Sequence, residues 1–404
     1  MQTLEQRRRA AERKANSPSQ PLRRFSPFGF FGTAFFFALI GFGFVSIIAN
    51  ECISKKPMPK IDEVLKQAAV ETSQKKPLRH TWGWWLSKLY LEQTQAPDVV
   101  IFGSSLVGSV HASIDAQLNQ ELTDVVTHRR ANFLEKQFKD YLGKSVSVFS
   151  LACPGEMISD AFMITKTLFS KGKTPKVVIA AIAPRDFVDS TLPHPGVTDQ
   201  FKFFSNYVKM EPWMESAAYP EFFARMGEEL DKISLKRVGK IITGRETEKT
   251  PAEWESNESL LVEPGKSVVP ANARPPWTDN SKEYIERFRN PINANYRSEM
   301  LFFREWIADL RSKNIEVLVV CMPTLEMNRK LLPESFWKEF RSDIANTCKQ
   351  NGADWFDLSD VELFVQSDYL DTVHLGSYGG VKLFPILAHR VKLVPKLRER
   401  LIGP

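Results

Sequence analysis

From Phe25 to Asn50 the chain carries no charged residue, and the run is dense in Phe, Ile and Gly. As a helix rising about 1.5 Å per residue it is long enough to cross a hydrocarbon layer of about 30 Å. A buried core helix is the alternative, but core helices of this length keep a polar face. A cleaved signal peptide is a second alternative. Against it, the run exceeds the usual apolar region of about 7–15 residues and no small-x-small cleavage site follows. In Ala49-Asn50-Glu51-Cys52 the Glu before Cys52 argues against a lipoprotein signal. The reading is therefore an uncleaved signal anchor over 25–50, between a basic tail (1–24) and a Lys/Pro-rich stalk (51–77).

The net charge of +6 belongs to the tail. Residues 1–24 hold seven Lys/Arg against two Glu, which leaves +1 for everything that follows. The body thus lacks the charge that binding nucleic acid requires. Arg7, Arg8, Arg9, Arg13, Lys14, Arg23 and Arg24 all precede the apolar run, whereas mixed charges follow it. The positive-inside rule then puts the tail in the cytoplasm and the body outside, on the periplasmic or cell-surface side. The four cysteines form no CxxC pair, which excludes a disulfide scaffold and a zinc ribbon.

Beyond residue 78 the pattern alternates. Residues 78–95 form a Trp-rich helix with one apolar side, suited to packing on the domain or to the lipid interface. Short β-branched runs at 98–102, 146–151, 176–182, 315–322 and 355–358 read as strands. Helical spacing fills 130–142, 158–171, 282–312 (broken near Pro291), 334–350 and 377–398. Apolar strands alternating with helices specify an α/β domain, a three-layer doubly wound sheet of about five mostly parallel strands, over 78–404. Residues 193–280 interrupt the alternation. They read as an insertion, helical near 212–240 and loop-like near 245–280, packed over or beside the site.

In open α/β sheets functional groups collect beyond the carboxyl ends of the strands. Gly103-Ser104-Ser105-Leu106 follows the first strand; it places either a nucleophile on a strand-to-helix turn or an ordinary helix cap. Cys153-Pro154-Gly155 follows the second; Gly155 permits close backbone approach to a ligand or serves a Pro-Gly turn. Cys153 reads as a small buried residue rather than a thiol nucleophile. Arg185 and Asp186 follow the third strand, either as a donor to an oxyanion with its loop-fixing carboxylate or as a solvated pair. Met322-Pro323-Thr324, Asn328 and Arg329 follow the fourth as a substrate-side loop, with Thr324 as a helix cap in part. Asp371-Thr372-Val373-His374 precedes the last helix. A carboxylate three residues before an imidazole can fix its tautomer, or it can cap the helix. The remaining histidines have no comparable setting, although His111 lies near Ser105 in sequence.

This order of blocks resembles the SGNH/GDSL hydrolase superfamily. The resemblance covers roughly 97–192 and 315–390. Ser105 matches the serine of the first block, Gly155 the oxyanion glycine of the second, and Asp371 and His374 the Asp-x-x-His of the last. The third block differs: Ala183-Pro184-Arg185-Asp186 stands where the family has Gly-x-Asn-Asp. With its anchor, the chain is similar to envelope members such as the D-alanine-transfer protein of teichoic acid modification and the proteins of alginate O-acetylation. The resemblance implies a serine acyl esterase or O-acyltransferase using Ser105, His374 and Asp371, without metal or cofactor. It implies an acylated carbohydrate polymer as substrate and a membrane-bound O-acyltransferase as partner. A non-catalytic scaffold that keeps the fold is the alternative. The orientation is testable: a reporter active only in the cytoplasm, fused after Pro404, is expected to be silent, and activity there overturns the topology.

Overall fold

Val99-Val100-Ile101-Phe102 has no polar side chain on either face, so it is stable as a strand only where both faces are covered. In the computed structural model it forms β1 (Val99–Phe102), and all four residues are buried. The structure describes residue 61 and residues 80–169, 172–219, 261–271 and 276–403. The expected tail, membrane anchor and most of the stalk lie outside these. No helix among the described residues is long and apolar enough to cross a membrane.

Five strands form one all-parallel sheet: β1, β3 (Val148–Ser150), β4 (Val177–Ile182), β6 (Glu316–Cys321) and β7 (Asp354–Asp357). Their spatial order is β3-β1-β4-β6-β7. The chain steps from β1 to one side, crosses back to the other, and then continues outward. The direction of winding therefore reverses at β1, and such a reversal opens a crevice at the carboxyl edge.

The helices fall into two groups. α2 (Ser105–Asn119), α3 (Asn132–Leu142), α11 (Ser377–Leu393) and α12 (Pro395–Ile402) pack with one another. The other group is built on α4 (Ile158–Leu168) and α8 (Ala294–Ser312), joined by α1 (Trp82–Leu91), α5 (Asp199–Ser205), α6 (Pro212–Ala218) and α10 (Glu334–Asn351). This arrangement is that of an α/β fold, and its two helix groups are compatible with three layers. Trp306 of α8 meets Phe102 edge-on at 5.2 Å, and its indole N–H donates to Thr165 Oγ1 at 2.8 Å, so the largest core side chain is satisfied at both ends. The Trp-rich α1 buries Trp84, Leu86 and Tyr90 against α4 and α5.

The expected helix over 282–312 is two helices, α7 (Ser281–Arg287) and α8, separated around Pro291, with Asn293 accepting from the Tyr296 N–H at 2.9 Å. The expected last helix is also two, because Pro395 restarts it as α12. Two features of the insertion differ from the sequence reading. Asp199–Ser205 is helical, capped by Thr198. Val268–Val269 forms β5, antiparallel to β2 (Thr123–Asp124), where a loop is expected. A pair of two-residue strands this far apart in sequence leaves no periodic trace.

Gly380 sets the approach of α11 to α2. A Cβ there would lie 2.9 Å from Ile114 Cβ and 3.1 Å from Val110 Cγ2. Gly380→Val is expected to lower stability by about 1–3 kcal/mol through overpacking. Chemical denaturation measures it, and an unchanged midpoint would contradict this helix contact.

Candidate active site

Gly103 ends β1 at φ +147, and a Cβ there would fall 2.4 Å from the Ala181 carbonyl oxygen of β4. Only glycine fits a turn this close to the neighbouring strand. The turn delivers Ser104 to the N-cap position of α2, where its carbonyl accepts from Val107 and Gly108 while its hydroxyl makes no capping bond. Ser105 is thus the first helical residue, in the turn whose N–H groups lack intrahelical partners.

His374 reaches it from the far end of the chain. Ser105 Oγ lies 2.8 Å from His374 Nε2, and His374 Nδ1 lies 2.6 Å from Asp371 Oδ2. The other carboxylate oxygen of Asp371 accepts from the backbone N–H groups of Val373 and His374 at 2.9 and 2.8 Å. Burial acts to raise the Asp371 pKa, but these hydrogen bonds outweigh it and hold the group below its ordinary value. An ionised Asp371 places the imidazole proton on Nδ1 and leaves Nε2 free to accept from Ser105.

The loop that carries Asp371 and His374 is braced on several sides. Leu370 N–H donates to the His374 carbonyl at 2.7 Å, and Trp277 Nε1 donates to the Asp371 carbonyl at 3.0 Å. Asn280 Oδ1 accepts from the Thr372 N–H at 3.1 Å and from its hydroxyl. Asn328 Nδ2 donates to Thr372 Oγ1 at 3.2 Å. Trp277 and Asn280 fall within the expected insertion, whose residues 220–260 and 272–275 lie outside the described residues. A cavity of about 520 Å³ opens at Ser105, walled by Arg129, Pro154, Val269, Leu370 and Tyr378 among others.

The remaining sequence candidates divide. Gly155 (φ +75) and Arg185 are neighbours, since a Cβ on Gly155 would lie 3.9 Å from Arg185 Nη2. Arg185 Nη1 donates to the Glu156 carbonyl at 3.1 Å, and Nη2 pairs with Asp189 at 3.1 Å, so the guanidinium holds the loop that bears Gly155. Asp186 is buried and accepts from the Ala183 N–H at 2.8 Å. Asn328 is buried behind the Asp371–His374 loop, and Arg329 pairs with Asp360; neither lines the Ser105 cavity. The short helix α9 (Glu326–Arg329) turns Asn328 inward to brace the site loop at Thr372 and leaves Arg329 partly exposed on the Ser359–Asp360 turn. Its N-cap is Leu325, not Thr324, whose buried hydroxyl finds no partner.

Cys153 is buried, and burial together with Glu156 pushes its thiol well above the ordinary value, which keeps it protonated and unreactive. Sequence reasoning missed Arg129, Val269 and Tyr378 as cavity walls, and Trp277 and Asn280 as braces. All reach the site through long-range packing, and only the basic pair Arg129-Arg130 is visible locally. Comparison with protein-family models and with curated proteins finds no match.

Behind the Gly155 loop, Glu156, Asp160, Asp186 and Glu299 are all buried. Desolvation, the largest cause, raises Asp160 to about 7 and Asp186 to about 6, against an ordinary Asp value of about 3.9. A carboxyl whose folded pKa is raised contributes stability in full below its unfolded value and loses it as pH rises through the folded value. Stability is therefore expected to fall between about pH 4 and about pH 7, and Asp160→Asn should flatten that fall. Denaturation midpoints across this range test it; a midpoint that climbs with pH overturns it.

Proposed function

We propose that this chain is a membrane-anchored serine acyl esterase or O-acyltransferase with an SGNH-like, doubly wound catalytic domain. In this reading residues 25–50 hold it in the bilayer with the domain outside the cytoplasm, where an acylated envelope polysaccharide is the substrate and a membrane-bound O-acyltransferase a partner. The observation that carries the reading is the continuous chain from Ser105 Oγ through the His374 ring to Asp371, at 2.8 and 2.6 Å. Both distances lie within reach of proton transfer before any substrate is bound. The resemblance of the sequence blocks and the strand order at whose reversal Ser105 sits support it further.

In the proposed mechanism His374 Nε2 takes the Ser105 hydroxyl proton as Oγ bonds to the ester carbonyl carbon. Negative charge moves to the carbonyl oxygen, where the Ser105 N–H at the start of α2 and the Gly155 N–H donate to it. The C–O bond to the carbohydrate breaks, and the imidazolium returns the proton to the departing alkoxide. Water, or a second sugar hydroxyl, then gives its proton to His374 and takes the acyl group, restoring Ser105. Asp371 stays ionised throughout and stabilises the imidazolium. A non-catalytic scaffold is the second reading; the observation that favours it is Arg185, at the Asn position of the third block and engaged with Glu156 and Asp189.

Purified full-length chain in detergent, assayed on an acetylated carbohydrate, distinguishes the two. Ser105→Ala and His374→Ala should each remove on the order of 10⁶-fold of turnover, and the double variant no more. Asp371→Asn should cost less, on the order of 10⁴-fold, by favouring the wrong tautomer. Melting temperatures should stay near that of the parent. Undiminished activity in Ser105→Ala would sink the mechanism. If the parent is inactive and a fluorophosphonate does not label Ser105, the scaffold reading stands instead.

A further inference from the structure

We propose that His111, Asp115 and His128 bind one zinc ion that clamps the segment ahead of α3 to the middle of α2. The inference does not depend on the chemistry of Ser105. His111 and Asp115 are one helical turn apart on α2, and His128 faces them from the segment between β2 and α3. His128 Nε2 lies 2.8 Å and His111 Nε2 3.4 Å from the same oxygen, Asp115 Oδ2. The two rings stack with centroids 5.3 Å apart, and both Nε2 atoms lie within 3.4 Å of that oxygen. The Arg130 carbonyl lies 3.1 Å from His111 Nε2 and would supply a fourth ligand atom.

These separations match a tetrahedral site. Ligand atoms at about 2.0–2.1 Å from zinc stand about 3.3 Å from one another, close to the 2.8, 3.1 and 3.4 Å observed. The carboxylate is already oriented: Oδ2 accepts from the Asn132 N–H and Oδ1 from the Phe133 N–H, both at 2.8 Å. Without a cation, Asn132 and His128 direct N–H groups at Oδ2, and His111 Nε2 is divided between Oδ2 and the Arg130 carbonyl. Zinc would accept the two Nε2 lone pairs, with each neutral ring carrying its proton on Nδ1. Two imidazoles and one carboxylate form a borderline donor set, which favours zinc over calcium or magnesium.

The site is built for structure more than for turnover. His111 and Asp115 are buried, and His128 is partly exposed, leaving an entry path for the ion. His111 and Arg129 both wall the cavity at Ser105, so a clamp across this segment would fix that wall.

The test uses full-length chain stripped of metal by a chelator and titrated with Zn²⁺. One equivalent should bind saturably and raise the melting temperature. In His111→Gln and His128→Gln the affinity should drop at least tenfold and the thermal shift should vanish. Glutamine at 128 keeps an N–H for Asp115, so the metal-free variant should melt close to the parent. A second readout on the parent alone guards against misfolded variants: bound Zn²⁺ should protect His128 from carbethoxylation, mapped by peptide mass. No saturable binding, parental affinity in both variants, or unchanged labelling of His128 overturns the proposal.

Discussion

The contact between α11 and α2 at Gly380 is the constraint on which the site depends. Ser105 opens α2 and His374 precedes α11 by three residues, so the two helices must start at the same sheet edge and nearly touch. The missing Cβ at Gly380 lets Ile114 and Val110 of α2 seat against the α11 backbone. Gly103 performs the matching service on the sheet side by letting the β1 turn pass against the Ala181 carbonyl. Two residues far apart in sequence thus meet at hydrogen-bond distance because two glycines remove the atoms that would hold their elements apart.

The polar groups near this edge serve position as much as chemistry. Thr372 lies between Asp371 and His374 and bonds to Asn280, which enters from the insertion, and to Asn328 of α9. An imidazole on a surface loop would sample several rotamers; this one sits on a loop whose backbone is fastened from the insertion, from α9 and within itself. The buried carboxyls behind Gly155 show the cost of such positioning. Glu299 is fully buried, and its oxygens accept from the Ser159 N–H and hydroxyl at 2.7 and 2.9 Å. Burial still pushes its pKa well up, with the other buried carboxyls adding to the rise.

Much of this was legible in the sequence for a definite reason. β1, β4 and β6 are covered on both faces and read as unbroken apolar runs, which no loop or amphipathic helix imitates. Ser105, Asp371 and His374 were legible because the carboxyl ends of parallel strands share one edge, so position after a strand stands in for position in space. Asn328 and Arg329 satisfied the same rule, yet Asn328 is buried behind the loop and Arg329 turns to Asp360. The rule gives the edge, but the direction of a side chain on a four-residue helix is set by packing that sequence does not encode locally. Arg129 escaped for a related reason: its guanidinium lies across the Trp82 ring, with centroid distance 5.2 Å, and nothing near either residue announces the pair.

Arg185 is where the chain departs most from the pattern it resembles, and its hydrogen bonds give the departure a use within the proposed mechanism. An Asn in that position offers one neutral donor. Arg185 commits Nη1 to the Glu156 carbonyl and Nη2 to Asp189, which limits it as a direct donor to a substrate oxygen. Asp189 is shared with Arg287, which also pairs with Glu283, and Asp186 lies 3.9 Å from Arg185, so two guanidiniums and three carboxyl groups form one network beside the Gly155 loop. Within the proposed mechanism the part of Arg185 is positional: it fixes the loop whose N–H would donate to the oxyanion.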